Sequence, residues 1–258
     1  MYDTYGFISQ NGEPTEPLSE LKDKELYREL SNRKSYLLQV KIIEPLQLSE
    51  REYTIGPYTI GSLIANGSLS SGGAVLTTPD LDVIERIRDT EWPEIHHQGN
   101  EESIDYSLHG AIRSIANMGL NVKSAQKFIP PAYMWGSESQ RVALLQGLMD
   151  GDGSNAKKTG RSVTYHTTAV QLAKDVQYLV CTLGCTATIV HAHRKYDNGH
   201  ELDEYTVNIM PPLGFQAFSS ARKNFERPQK RVTQPRRSVV DISPSDRVQY
   251  VHVTTRSG

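Results

Sequence analysis

The stretch Leu145-Gln146-Gly147-Leu148-Met149-Asp150-Gly151-Asp152-Gly153 decides the fold. It reads as the end of an amphipathic helix that leaves into two acids, one residue apart, among glycines. Ser137-Glu138-Ser139-Gln140 fits a capping box at the start of this helix, with Ser137 as cap and Gln140 reaching back. Gly147 and Gly151 are four apart and share one helix face. Small residues at that spacing let a second helix approach closely. The same spacing occurs earlier, at Gly61 and Ala65, in a helix over 58–65 that Pro57 opens and Asn66-Gly67 stops. Packed through these faces, the two helices bring their ends together, and those ends are Asp152 and Asn66.

Working outward, the segments around the two helices repeat. After the first come a strand over 74–78, a helix over 80–89, strands near 95–98 and 103–109, and a helix over 110–118. After the second come a strand over 161–168, a helix over 169–183, strands over 186–196 and 201–210 around Asp197-Asn198-Gly199, and a helix near 214–224. The repeat length is about eighty to ninety residues. The flanks do not share this pattern. A charged helix over 18–31 and a strand over 35–43 precede the repeats, and two alternating strands, 238–242 and 247–253, follow them.

Composition bounds the reading. The chain has 258 residues, 37% hydrophobic and 22% charged, which suits a folded, water-soluble protein. No apolar run reaches membrane-span length and no signal-peptide pattern opens the chain. Two cysteines, Cys181 and Cys185, exclude a disulfide framework and point to a reducing, cytoplasmic setting. Their spacing of one helical turn reads as buried free thiols. The net charge of -2 hides an asymmetry: residues 1–136 carry 12 basic against 19 acidic residues, and residues 137–258 carry 16 against 11.

The segment 145–153 resembles the LAGLIDADG family of homing endonucleases, with conservative changes at three or four of its nine positions. Thr59-Ile60-Gly61-Ser62-Leu63-Ile64-Ala65-Asn66-Gly67 resembles the family's first motif more weakly. Lys127-Phe128-Ile129-Pro130 is similar to the element between the two motifs in intein-borne members. Tyr36 to Pro57 resembles the lead-in from an intein splicing domain, and Ser238 to Thr254 the return into it. The resemblance covers about residues 35–255.

The resemblance implies an α+β fold of two αββαββα-like repeats whose sheets make a saddle over double-stranded DNA, in a monomer with no membrane association. It implies a domain plan of 1–50 as lead-in, 51–136 and 137–232 as the two repeats, and 233–258 as return strands, with the remaining intein and extein segments as partners. It also implies a divalent metal, Mg²⁺ or Mn²⁺, held by one acid from each motif, with a lysine near each site assisting by charge. Carried over by position, Asp152 is the metal ligand of the second motif and Lys127 one catalytic lysine, with Lys223 the candidate for the other. Asn66 departs from the pattern. It offers an amide oxygen but no negative charge where the family has an acid, so the expected activity is weak, nicking or lost.

Other residues carry a sharp and a bland reading. His191, His193 and Lys195 alternate on one strand and either contact DNA or are plain exposed residues. Thr164, His166, Thr206 and Asn208 are expected to line the same sheet face. The basic run of Arg222, Lys223, Arg227, Lys230, Arg231, Arg236 and Arg237 reads as phosphate contact or as a solvated face. Asp80, Asp82 and Glu85 read as acids favoured by a helix N-terminus. A calcium loop at Asp150-x-Asp152-x-Ser154 fails, since Asn155 stands where glycine is required and Arg161 where the closing glutamate belongs. In isolation, Asp150 and Asp152 read as solvated turn acids. A DNA-binding or passenger module without cleavage is the rival reading. Met1-Tyr2 and Arg256-Ser257-Gly258 supply neither the nucleophile nor the terminal asparagine of protein splicing, so this chain is not expected to splice alone; an excised endonuclease region or a split-intein piece is expected.

Overall fold

The computed structural model describes residues 7–8, 14–15, 39–41, 44–69, 73–155, 162–195, 199, 201–223 and 236–238. Along the chain, β1 (Phe7–Ile8), β2 (Pro14–Thr15) and β3 (Gln39–Lys41) come first. The first repeat follows as α1 (Pro57–Asn66), β4 (Gly67–Ser68), β5 (Val75–Thr77), α2 (Leu81–Thr90), β6 (Ile95–Gln98), β7 (Asp105–Leu108) and α3 (Ala111–Asn117). The second is α4 (Glu138–Asp152), β8 (Gly153–Asn155), β9 (Val163–Thr167), α5 (Val170–Thr182), β10 (Thr186–Lys195) and β11 (Glu201–Met210), and β12 (Arg236–Ser238) closes the series.

The chain divides into two units, one of residues 1–41 with 236–258 and the other of residues 42–235. In the first, the four short strands form one sheet in the order β12-β3-β1-β2, with Arg236 paired to Lys41 and Ser238 to Gln39. The expected helix over 18–31 and strand over 247–253 lie outside the described residues.

The second unit is α+β and holds both repeats. Each contributes a four-stranded antiparallel sheet, β4-β5-β7-β6 and β8-β9-β11-β10. In both, the strands counted in chain order lie 1-2-4-3, with a helix before the first and another between the second and third. Two of these strands have no counterpart in the sequence pattern. β4 and β8 each begin on the glycine that ends a motif helix, Gly67 or Gly153. Two or three residues show too little alternation to be read as strands. The helix expected over 214–224 is also absent as far as Lys223. The backbone N–H groups of Ser219, Ser220 and Ala221 bond to carboxylates from elsewhere instead of to carbonyls four residues back.

The sheets pack their apolar faces on the helices. Leu76, Tyr106, Leu108 and Ile95 are buried in the first repeat, and Val163, Tyr165, Val207 and Ile209 in the second. Neither Cys181 nor Cys185 is in a disulfide; Cys185 is buried as expected and Cys181 only partly so. Among the described residues no helix is long and apolar enough to cross a membrane.

The motif helices meet almost backbone to backbone. A Cβ on Gly61 would lie 2.3 Å from the Leu144 carbonyl oxygen, and one on Gly147 would lie 2.2 Å from that of Tyr58. A Cβ on Gly151 would lie 2.4 Å from the Ala65 Cβ. The expected face-to-face packing is therefore present, and only glycine fits at its centre. The helix starts are fixed as well. The Glu91 carboxylate accepts from Tyr58 N at 3.1 Å and Thr59 N at 2.6 Å, supplying the cap that Gly56 lacks. The capping box of Ser137 and Gln140 is formed as read. The buried Arg141 guanidinium donates to the carbonyls of Gly136, Thr182 and Leu46, tying the segment before α1 to α4 and α5.

Gly147→Ala is expected to destabilise the fold by about 2–3 kcal/mol through overpacking. Gly73→Ala, with nothing within 4 Å of its Cβ, is expected to change stability by well under 1 kcal/mol. Urea denaturation of both variants checks this, and equal midpoints would contradict the packing.

Candidate metal and nucleic-acid site

The ends of α1 and α4 converge as the glycine spacing implies. A Cβ built on Gly151 would lie 3.3 Å from the Asn66 side-chain carbon and 3.4 Å from its amide nitrogen, which places Asn66 against the residue before Asp152.

Two lysines seat themselves on the two helix ends in matching fashion. Lys127 is buried and donates to the carbonyls of Ile64 (2.8 Å), Ala65 (3.4 Å) and Gly67 (2.9 Å). Lys223 donates to those of Met149 (3.3 Å), Gly151 (2.6 Å) and Gly153 (3.0 Å). Ala65 corresponds to Gly151 and Gly67 to Gly153, so the repeat extends to the lysines. The partners suit the charge, because unpaired carbonyls and the negative end of the dipole gather there. An ammonium has three donors, and each lysine spends its donors on carbonyls. What remains for chemistry is positive charge near the site. Burial pushes both lysines below the ordinary range, and the Asp152 charge opposes that shift in each.

Asp152 lies within the field of both lysines. Burial raises its carboxyl to about 6, against the opposing pull of Lys127 and Lys223. No protein group donates a hydrogen bond to it among the described residues. A half-buried carboxylate that accepts no hydrogen bond among the described residues, in the field of two lysines and near the Asn66 side chain, fits a divalent ion with water completing the shell. It does not fit a rich cage: no three His, Cys, Asp or Glu side chains cluster as a metal site among the described residues.

Asp150 is no solvated turn acid. It is buried, it accepts from the Tyr58 hydroxyl at 2.7 Å, and it accepts from Ser219 N and Ser220 N at 3.0 and 3.1 Å. Burial raises its carboxyl, against these hydrogen bonds. Asp82 accepts from Ala221 N at 2.8 Å, and Asp80 takes the Arg222 guanidinium in a two-point contact at 2.6 and 2.7 Å. The segment 219–223 that delivers Lys223 is thus held by three carboxylates, two from the first repeat. Asp80 and Asp82 do more than complement a helix dipole, and Arg222 serves Asp80. Lys127 is delivered in the same crossed manner: Ile129 N, two residues on, donates to Asp175 of the second repeat at 2.9 Å.

The register divides the residues expected to share one sheet face. His191 pairs with Tyr205, His193 with Asp203 and Lys195 with Glu201, whereas Thr206 pairs with His166 and Asn208 with Thr164. Paired residues share a face and neighbours alternate, so the two groups lie on opposite faces. The inward face of the sheet runs on, past the helices, into the histidines. His191 and His193 bond to Asp203 at 2.9 and 3.0 Å, and Lys195 to Glu201 at 2.8 Å. Bonds to Asp203 and Glu201 push His193 up. On the other face, His166 sits between the hydroxyls of Thr164 (3.0 Å) and Thr206 (3.2 Å). Arg227, Lys230 and Arg231 lie outside the described residues. A cavity of about 400 Å³ opens beside the end of α1, bordered by Asn66, Ser68, Thr77, Lys123, Ser124 and Lys127.

Residues 139–211 match the family model described as LAGLIDADG-like domain. A replicative DNA helicase DnaB of Mycobacterium intracellulare is 29% identical over 200 residues, 78% of this chain. The chain spans 30% of that relative's length. The crystal structure of an I-DmoI variant in complex with its target DNA, in the presence of 2 mM Mg, is 16% identical and covers 60% of this chain and 88% of that one, with a TM-score of 0.37.

The raised Asp152 carboxyl has a consequence for the metal-free protein. The folded state holds that proton to higher pH than the unfolded chain, so the stabilisation is present below about pH 4 and is lost as pH rises through about 6. Asp152→Asn is expected to remove this loss, so that variant and parent diverge in Tm between pH 4 and 7 in chelator. Parallel Tm profiles would contradict the assignment.

Proposed function

We propose that this chain is a site-specific DNA endonuclease domain carried by an intein, and that it hydrolyses phosphodiesters with Mg²⁺ or Mn²⁺ at reduced efficiency. The observation that carries the reading is the convergence of two repeated helix ends, each seated by a lysine, on the Asp152 carboxylate, which accepts no hydrogen bond among the described residues. The match of residues 139–211 to a LAGLIDADG-like domain supports it. A match filling 30% of a longer DNA helicase fits an element borne inside a host protein.

Asp152 and Asn66 would hold the ion, which when bound supplies electrostatic stabilisation to the phosphodiester under attack. Lys127 and Lys223 add positive charge from fixed seats, so no reorganisation is needed at the moment of reaction. Double-stranded DNA lies across the sheet faces turned from the helices, where Thr164, His166, Thr206 and Asn208 meet base edges and phosphates. The cavity beside Asn66, Lys123 and Lys127 takes backbone phosphate. Arg227, Lys230 and Arg231 add non-specific phosphate contact, with Arg222 holding the segment in place. His191, His193 and Lys195 sit on the other face with acids around them and contribute at the rim.

Asn66 sets the limit. With one carboxylate where two are expected, the site is short of ligand charge, and a single strand is cut more readily than both. The rival is a DNA-binding passenger without cleavage, which Asn66 also favours. In a plasmid assay with the natural target and Mg²⁺, nicked circles are expected to accumulate ahead of linear product. Asn66→Asp is expected to raise double-strand cutting at least tenfold, and Asp152→Asn to abolish cleavage. Efficient double-strand cutting by the parent chain would refute the impairment. Salt-sensitive binding with no Mg²⁺-dependent cleavage in the parent or in Asn66→Asp would establish the rival.

A further inference from the structure

A second group near Asp152 lacks a partner. Tyr165 is fully buried, and among the described residues its phenolic oxygen meets no hydrogen-bonding partner. Most buried hydroxyls are paired, so an orphan next to a functional carboxylate calls for an explanation. The strand register puts Tyr165 directly opposite Gly153, the residue after Asp152. Its side chain belongs to the inward face of β9, with Val163. Gly153 adds no side chain there, and a Cβ on it would strike the Met149 carbonyl at 2.4 Å. Burial, with the Asp152 charge as the second cause, holds the phenol far above its ordinary range, so Tyr165 keeps its proton and remains a donor.

The first repeat has no such group. Gly67 corresponds to Gly153, and its partner across the sheet is Leu76. The half with the carboxylate has a phenol at this position; the half with Asn66 has a hydrocarbon.

Resting on the reading of Asp152 as a metal ligand, we propose that Tyr165 is a positioning residue of that half-site, its hydroxyl donating to the Asp152 carboxylate and turning it toward the cation. A carboxylate has two oxygens. One faces the ion, and the other accepts the phenol hydrogen, which fixes the plane of the ligand in the manner of outer-shell donors at metal sites. Without the ion the carboxylate is free to turn away, which leaves the hydroxyl unpaired.

The test is Tyr165→Phe in the full chain, without DNA, by following Tm during a Mn²⁺ titration after removal of metal. The metal-free Tm is expected to be unchanged or higher, because an unpaired buried hydroxyl has been removed. The Mn²⁺ concentration for half the stabilisation is expected to rise about tenfold. An unchanged half-point overturns the proposal. A clear fall in metal-free Tm also overturns it, since that shows the hydroxyl already satisfied by the fold. The underlying reading is tested separately: if the parent shows no Mn²⁺-dependent rise, or Asp152→Asn keeps it, Asp152 is not the ligand.

Discussion

The approach of two helices at Gly61 and Gly147 governs the rest of this structure. With no side chain between the backbones, the helices lie closer than any alanine pair would allow, and their ends come to a single place. Dispersion between packed backbones is weak atom by atom and strong in sum. It also tolerates little adjustment, so the position of Asp152 relative to Asn66 is set by packing and not by the polar groups themselves. The caps at the far ends, Glu91 on α1 and the Ser137–Gln140 box on α4, fix the helices along their axes.

Convergence of two helix C-termini concentrates partial negative charge, and a carboxylate added there is costly. Lys127 and Lys223 offset that cost by covering the terminal carbonyls, and Asp152 is still left with a raised carboxyl. The arrangement suits a cation more than it suits the bare protein. The two halves are unequal in this respect. The second supplies a carboxylate and the first an amide, although their lysines match.

The repeat and its centre are legible in the sequence because glycine spacing, capping residues and Asp-x-Asp are local signals. Every regular helix of the two repeats can be read to within two residues at each end, except at 214–224. There the pattern suits a helix, but distant carboxylates on Asp150 and Asp82 take the backbone donors, and no local window contains them. β4 and β8 are too short to show a period. Asp80 and Asp82 read as dipole acids because their partners, Arg222 and Ala221, stand about 140 residues away in the chain. The division of His191 and His193 from His166 depends on register, which a strand's own sequence does not contain. Tyr165 looks like any core aromatic, and only the absence of a partner for its hydroxyl sets it apart.

The crossed anchoring of the two lysines bears on how this protein could have arisen and how it can be divided. Each lysine covers the motif helix of its own repeat, while the segment that carries it is held in part by acids of the other repeat, Asp175 in one case and Asp80 with Asp82 in the other. A single repeat taken alone keeps its glycines and its helix end but loses part of the hold on the segment that carries its own cation. The halves are therefore not interchangeable modules joined by a linker. They are one mechanism divided between two similar shapes, and loss of Asp175, Asp80 or Asp82 in one half loosens the segment that carries the lysine of the other.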